Sequence, residues 1–325
     1  MKLREDLYIL LLNLRCFEPK ICFNETAPVM YESGTKMKKR TMKMNLFYLP
    51  AICLILLFVI RPFCETVYIS LCRWNGYSPE KAFVGIQNYV EMLSDKRYWV
   101  AFGNTLIYSI VSTVLQNVIG LGAALFVNSR FKGNNLVRVV IYMPIMISSL
   151  IMGYIMYFFL TYDNGVLNDI LSVFGIQPVD WLAEGKWGVF FITVINIWQY
   201  AGYCMIIYLS GLQNISKAYL EAAQIDGADK FAQFRYVTLP MLIPAVTTAV
   251  MIDLINGLKI FDGIISLTNG GPNYATHSLM TYLNSQYFLA EKAGYASAVG
   301  VTSFLVIMIF SLVGNRYFEK KSIDS

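Results

Sequence analysis

Long apolar segments alternate with short polar segments along most of the chain. Six of these apolar segments are about 20 residues long or longer, at about 45–72, 104–127, 138–160, 188–210, 241–264 and 295–315. A helix of about 20 apolar residues is long enough to cross the hydrocarbon core of a bilayer. The pattern therefore predicts an all-α membrane protein with about six transmembrane helices.

Composition supports a membrane protein and narrows the chemistry. The 325 residues are 56% hydrophobic and only 14% charged, whereas soluble domains carry about 25% charged residues. The net charge of +5 is modest and lies mostly between the spans, which argues for a lipid bilayer rather than nucleic acid as partner. The six cysteines include no CxxC pair, and His277 is the only histidine. Neither a zinc site, a disulfide framework nor histidine catalysis is indicated.

Cations are concentrated in four segments that fall on one side of a six-span chain. These cations are Lys36, Lys38, Lys39, Arg40, Lys43, Arg130, Lys132, Arg138, Lys217, Lys230, Arg235, Arg316, Lys320 and Lys321. The acidic residues Glu80, Glu91, Asp95, Asp163, Asp169, Asp180 and Glu184 fall on the other side. Because Lys and Arg are enriched in cytoplasmic loops, we expect both termini in the cytoplasm.

A polar segment at residues 221–244 separates the fourth and fifth predicted spans. It begins with Glu221, Ala222 and Ala223, continues through Asp226 and Gly227, and later contains Leu239 and Pro240. Ala and Glu favour a helix, Gly permits a turn, and Pro fits the first turn of a following helix. The segment predicts a short helix, a kink and a second short helix on the cytoplasmic side.

This residue pattern resembles the coupling loop of permease subunits in bacterial binding-protein-dependent ABC importers: Glu-Ala-Ala, three residues, Gly, and later Leu-Pro. Three outer segments, 83–89, Asn104-Thr105 and 267–272, are similar to the sugar-permease group of that family, the maltose/glycerol-3-phosphate type. The resemblance runs from about residue 44 to the C-terminus. We therefore divide the chain into an N-terminal extension, 1–36, and a permease domain, 37–325, with its coupling loop at 211–240. The Met37-Lys38-Lys39-Arg40 run suggests a later translation start.

The resemblance implies a type I importer permease in the bacterial cytoplasmic membrane. Its residues for coupling to a separate ATPase would be Glu221, Ala222, Ala223, Asp226, Gly227, Leu239 and Pro240. The chain lacks the G-x-x-x-x-G-K-[ST] loop that holds nucleotide phosphates. We therefore expect no enzymatic activity and no cofactor here, with ATP and Mg bound by the ATPase. The other implied partners are a second homologous permease, an extracytoplasmic solute-binding protein and a carbohydrate.

Polar residues within the spans are the candidates for a substrate path. Span four carries Asn196, Gln199, Tyr200 and Tyr203 at helical spacing, and span five carries Asp253, Asn256, Lys259 and Asp262. Such residues usually face a bundle interior or a water-filled path, where they could hydrogen-bond a polyhydroxylated solute. Two alternatives remain. Lys259 and Asp262 could pair with each other, and the amides could join helices.

Other readings of the chain remain open. Related permeases carry glycerol phosphates or polyamines, so the solute need not be a sugar. An ion-coupled secondary transporter could use Asp253 as its ion site, although no internal repeat is evident. Arg61 and Glu65, four residues apart in span one, are expected to neutralise each other.

Overall fold

The structure is a computed structural model that describes residues 48–129 and 132–323, with side chains described as far as Phe318. The N-terminal extension 1–36, the cations before span one and Arg130 lie outside the described residues. The chain divides into two compact units, with the boundary after Phe58. The described part of the first unit, residues 48–58, is helical and exposed, and the second unit is Val59–Ser325.

The described residues are mainly helical. The elements are α1 (Tyr48–Ser70), β1 (Cys72–Arg73), β2 (Ala82–Phe83), α2 (Gln87–Ser94), α3 (Lys96–Asn128), α4 (Asn134–Met146), α5 (Ser149–Leu160), α6 (Val166–Val173), α7 (Gly185–Asn214), α8 (Lys217–Ile225), α9 (Lys230–Met241), α10 (Ile243–Leu258), α11 (Asp262–Leu267), α12 (Leu279–Asn284) and α13 (Ala293–Ile323). The two strands form an antiparallel hairpin that pairs Cys72 with Phe83 and Arg73 with Ala82.

Four helices, α1, α3, α7 and α13, are long and apolar enough to cross a membrane. Two further spans are possible if bent pairs count as one span each: α4 with α5, bent by 95°, and α9 with α10, bent by 66°. The predicted spans at 138–160 and 241–264 are therefore interrupted helices rather than continuous ones. Pro144 lies in a 3-10 turn at the first bend, and Pro244 opens α10 after the second. Proline removes a helical hydrogen bond and clashes with the preceding turn.

The helices α3, α7 and α10 form the centre of the bundle. A Cβ atom added to Gly120 of α3 would lie 2.4 Å from Cβ of Cys204 in α7, so only glycine permits this approach. Gly153 of α5 is similar, because an added Cβ would lie 1.8 Å from Oγ of Ser266 in α11. These close contacts pack α3 against α7 and α5 against α11.

Polar side chains of α3 anchor the loop between α11 and α12. The Asn104 amide donates to the carbonyl oxygens of Ala275 (2.7 Å) and His277 (3.1 Å). The Thr105 hydroxyl accepts a hydrogen bond from the backbone N–H of Leu279 at 2.8 Å. The Asn104-Thr105 motif found in the sequence therefore fastens the loop between α11 and α12 to the bundle.

Asn168 organises the segment between α5 and α7 in a similar way. Its side-chain N–H groups donate to the carbonyl oxygens of Thr161, Tyr162 and Val179, and its Oδ1 accepts from Val179 N–H and Trp181 Nε1. The side chain is buried. One buried amide thus makes five hydrogen bonds, three as donor and two as acceptor. These bonds fix the conformation of the segment around Asn168.

We expect Asn168→Ala to lower the thermal midpoint of the purified, detergent-solubilised protein by several degrees. Each lost hydrogen bond costs about 1 kcal/mol, and buried partners left unpaired cost more. Ser172→Ala is the matched control, since it removes one exposed, local hydrogen bond. Equal midpoints for the two variants would contradict the anchoring role.

Candidate functional site

A polar cavity of about 250 Å³ lies between α5, α7, α10 and α11. Seven of the eight candidate path residues line it, namely Asn196, Gln199, Tyr200, Asp253, Asn256, Lys259 and Asp262. Gln116 and Ser149 add further polar groups. The structure thus brings together residues from five helices and from the turn after α10; we call this space the inner cavity.

The α7 residues share one face of their helix and are held by neighbouring elements. Gln116 of α3 donates to Oδ1 of Asn196 at 2.8 Å. Gln199 donates to the carbonyl oxygen of Ile147 at 2.8 Å. Tyr200 and Ser149 share a hydrogen bond of 2.7 Å. These bonds also connect neighbouring elements. The amides therefore join helices, as the alternative interpretation predicted, and they also form part of the cavity wall.

Asp253 is buried at the point where the inner cavity meets the core. Its Oδ2 accepts hydrogen bonds from Asn117 Nδ2 and from the Cys204 thiol, both at 2.8 Å. Tyr208 in turn donates to Asn117 Oδ1 at 2.5 Å. No hydrogen bond to Oδ1 of Asp253 comes from any residue in the described ranges, so this oxygen remains available to a solute in the cavity.

Lys259 and Asp262 both line the inner cavity but do not pair. Lys259 follows the last residue of α10, and Asp262 is the first residue of α11, so the predicted fifth span is interrupted between them. Within residues 48–129 and 132–318, the ion pairs join Lys81 to Glu65 (4.0 Å) and Lys292 to Glu91 (3.4 Å). The expected pairing of Glu65 with Arg61 is therefore wrong.

Some residues differ from the sequence expectation. Tyr203 does not line the inner cavity. Gln116 and Ser149 do, and the sequence analysis did not identify them. Gln116 has the same signal as the predicted residues, since it is a polar side chain in the middle of an apolar helix. Ser149 gave no such signal, because a serine at a helix start is commonplace.

The predicted coupling segment forms a short helix, a turn and a second helix. Helix α8 ends at Ile225, Gly227 adopts a left-handed φ of +83°, and Asp229 accepts a hydrogen bond from Ala232 N–H to start α9. Glu221, Ala222, Asp226 and Gly227 are exposed, Ala223 is half-buried, and Leu239 and Pro240 are half-buried near the far end of α9. The segment also exposes the apolar side chains of Ile225, Phe231 and Tyr236.

His277 lies in the loop before α12 and is buried. Its Nδ1 lies 3.0 Å from Thr281 Oγ1, and its ring centroid lies 5.2 Å from that of Tyr274. Arg97 stacks on the Tyr274 ring, and Asp95 accepts a hydrogen bond from the neighbouring Tyr282. Burial lowers the pKa of His277 to about 4.

We expect the stability of the protein to fall as the pH drops from about 6.5 toward 4. In this range an unfolded histidine, with an ordinary pKa of 6.5, binds a proton that the buried His277 does not bind. Hydrogen bonds from Tyr282 and the Arg97 N–H outweigh burial and lower the pKa of Asp95, so Asp95 affects stability only at lower pH. Thermal midpoints measured across this range should vary less in His277→Gln, and an unchanged pH dependence would contradict the assignment.

The chain is similar in sequence to known proteins. Residues 116–323 match the family model described as binding-protein-dependent transport system inner membrane component. The trehalose/maltose transport system permease protein MalF of Thermococcus litoralis is 35% identical over 86% of this chain and 95% of its own length.

Two solved structures are also similar. One is a bacterial ABC transporter involved in the import of the acidic polysaccharide alginate. Its matching chain has a TM-score of 0.76 and 26% identity over 88% of this chain and 98% of its own length. The other is a bacterial alginate ABC transporter in complex with an alginate pentasaccharide-bound periplasmic protein. It gives a TM-score of 0.76 and 25% identity, and covers 88% of this chain and 97% of its own length.

Proposed function

Because this chain belongs to the family of binding-protein-dependent transport system inner membrane components, we propose that its inner cavity is part of the path by which an ABC importer moves a carbohydrate. The observation that carries the proposal is the convergence of Asn196, Gln199, Asp253 and Asn256 on one cavity. Amides and carboxylates can exchange hydrogen bonds with many hydroxyl groups at once.

A carbohydrate is supported over the other solutes by the relatives and by the charge of the cavity. The names of the similar proteins refer to trehalose, maltose and alginate. The inner cavity contains one cation, Lys259, beside the carboxylates Asp253 and Asp262. A glycerol phosphate would be repelled by the two carboxylates, because only one cation offsets their charge. The positive charges of a polyamine would be repelled by Lys259.

We place the α8–α9 segment in the cytoplasm, together with both termini. The cation distribution supports this orientation. The exposed residues Glu221, Ala222, Asp226 and Gly227 would contact a separate ATPase subunit that binds ATP and Mg. Leu239 and Pro240 would then position α9 against the bundle rather than touch the ATPase, since both are half-buried.

The assembly that we propose contains a second homologous permease, ATPase subunits and an extracytoplasmic solute-binding protein in a bacterial cytoplasmic membrane. The alginate transporter bound to a periplasmic protein supports the last of these partners. Two bent helix pairs border the inner cavity through α5 and α10, and rearrangement at such bends could open the cavity to either side.

The test is ATP-driven uptake by the reconstituted assembly, with maltose, trehalose and lactose each supplied with a matching binding protein. We expect Asn256→Ala to lower uptake of the transported sugar at least tenfold, because Asn256 is exposed to the cavity. Asn214→Ala is the matched control, since Asn214 is exposed at the end of α7 away from the cavity. Uptake driven by an ion gradient without ATP would favour a secondary transporter and contradict the proposal.

A further inference from the structure

A second cavity, which we call the outer cavity, lies between the β1–β2 hairpin, α2 and the start of α13. Its volume is about 480 Å³, within the range of about 300–1,000 Å³ that is typical of ligand sites. It shares no lining residue with the inner cavity. In the proposed orientation it faces the side from which the solute arrives.

Asn88 presents an acceptor of fixed orientation to the outer cavity. Its amide nitrogen donates to the carbonyl oxygens of Ser70 (2.7 Å) and Cys72 (2.9 Å), which fixes the orientation of the amide. The residue is 6% exposed, and its Oδ1 receives no hydrogen bond from any part of the chain that the structure describes. This oxygen is not among the fully buried side-chain atoms of the described residues that lack a partner, so it is open to the cavity. A ligand hydroxyl in the cavity can therefore donate to it.

The charges around the outer cavity balance. Arg73 and Lys292 supply two cations, and Glu91 and Glu291 supply two carboxylates. Lys292 lies 3.4 Å from Glu91. Adjacent groups of opposite charge suit a neutral ligand whose hydroxyls both accept from the cations and donate to the carboxylates. A net-charged ligand would gain little from such a set.

Trp74 supplies a fixed aromatic wall. Its indole N–H donates to the carbonyl oxygen of Ser78 at 2.7 Å, and Lys81 Nζ lies 4.5 Å from the ring centroid. The carbonyl oxygen of Trp74 also accepts from Gly294 N–H at 3.0 Å. Glu291, which also lines the outer cavity, has a left-handed φ of +52°, a strained conformation for glutamate that is found more often at ligand sites. The cavity is therefore preformed.

We propose that the outer cavity is a second carbohydrate site, which binds one residue of a neutral saccharide against Trp74 and Asn88 before the solute enters the inner cavity. This proposal rests on the proposed function for the class of ligand. An aromatic ring beside amide, carboxylate and guanidinium groups provides the apolar and hydrogen-bonding contacts that a sugar ring requires. The competing occupant is a segment of the binding protein.

The test is tryptophan fluorescence of the assembled transporter in nanodiscs without binding protein. Maltose, trehalose, lactose and alginate pentasaccharide are titrated separately. We expect at least one neutral sugar to change the emission, and Trp74→Phe to abolish that change. The double variant Glu91→Ala/Lys292→Ala should weaken the apparent affinity at least tenfold. Trp187→Phe is the matched control, because Trp187 is exposed at the start of α7 and outside the outer cavity.

Three results would overturn the outer site. One is no change in emission with any neutral sugar, or a change that persists in Trp74→Phe. Another is a response to alginate pentasaccharide alone. The third is a Trp74-dependent response to sugar-free binding protein alone, which would assign the cavity to a protein segment. Uptake of a neutral sugar without a Trp74 signal refutes the outer site only, whereas a Trp74 signal without any ATP-driven uptake refutes the proposed function.

Discussion

Glu221→Lys and Gly227→Asp should each reduce ATP-driven sugar uptake at least tenfold while leaving membrane insertion intact. Glu221 is exposed on α8, and Gly227 is exposed in the turn that follows. Neither substitution disturbs a buried contact, because a Cβ atom added at Gly227 meets no atom within 4 Å. The change would act on a surface that a separate ATPase needs, through reversed charge at Glu221 and an added carboxylate at the turn.

A control must distinguish the effect of backbone strain at Gly227 from the loss of the surface that contacts the ATPase. A residue other than glycine at a left-handed φ costs about 1–2 kcal/mol. Gly85 provides the matched control, because its φ is +60° and an added Cβ there also meets nothing within 4 Å. Gly85→Asp carries the same strain in the segment between β2 and α2, and Glu80→Lys repeats the charge reversal at an exposed position between β1 and β2.

The measurements are uptake, the ATPase rate of the assembly, and the amount of each permease variant in the membrane. We expect the α8–α9 variants to lose uptake and the capture of the ATPase, and the two controls to keep both. Wild-type uptake in either α8–α9 variant, or equal losses in Gly85→Asp and Gly227→Asp, would refute the coupling assignment.

Local features of the fold could be predicted from the sequence. The helix–turn–helix at 217–241 follows from neighbouring residues alone, since Glu221 to Ala223 favour a helix and Gly227 permits the left-handed turn. The shared face of Asn196, Gln199 and Tyr200 follows in the same way from helical spacing. The membership of the chain in the importer permease family is likewise confirmed.

Features that depend on distant parts of the chain could not be predicted. Glu65 pairs with Lys81 on the strand hairpin rather than with Arg61 one turn away. Pro144 can indicate a break between α4 and α5, but hydropathy within this apolar run gives no signal of the 95° angle or its direction. The roles of the coupling and path residues stay predictions until the variants are measured.

The hydrogen-bond partners of Asp253 likewise could not be predicted from neighbouring residues. The sequence identified a carboxylate inside a span, but its partners are Cys204, 49 residues away, and Asn117, 136 residues away. Only the crossing of α3, α7 and α10 brings them together. The carboxylate therefore combines two functions, because Oδ2 joins helices and Oδ1 is available to the cavity.

Separate variants can distinguish these two functions. We expect Asp253→Asn to lower uptake at least tenfold with a small change in thermal midpoint, because an amide keeps the size of the side chain but loses the charge and one acceptor. Cys204→Ala should keep uptake near the wild-type rate and lower the thermal midpoint only slightly. It removes one interhelical hydrogen bond, worth about 0.6 kcal/mol in a membrane protein, and leaves Asp253 in the cavity wall.

Asp253→Ala should lose both stability and uptake, since the Asn117 amide and the Cys204 thiol would remain buried without their acceptor. Uptake kinetics and thermal midpoints measured on the same preparations provide the comparison. If Asp253→Asn transports at the wild-type rate while Asp253→Ala unfolds, Asp253 only joins helices. The path would then depend on Asn196, Gln199 and Asn256 alone.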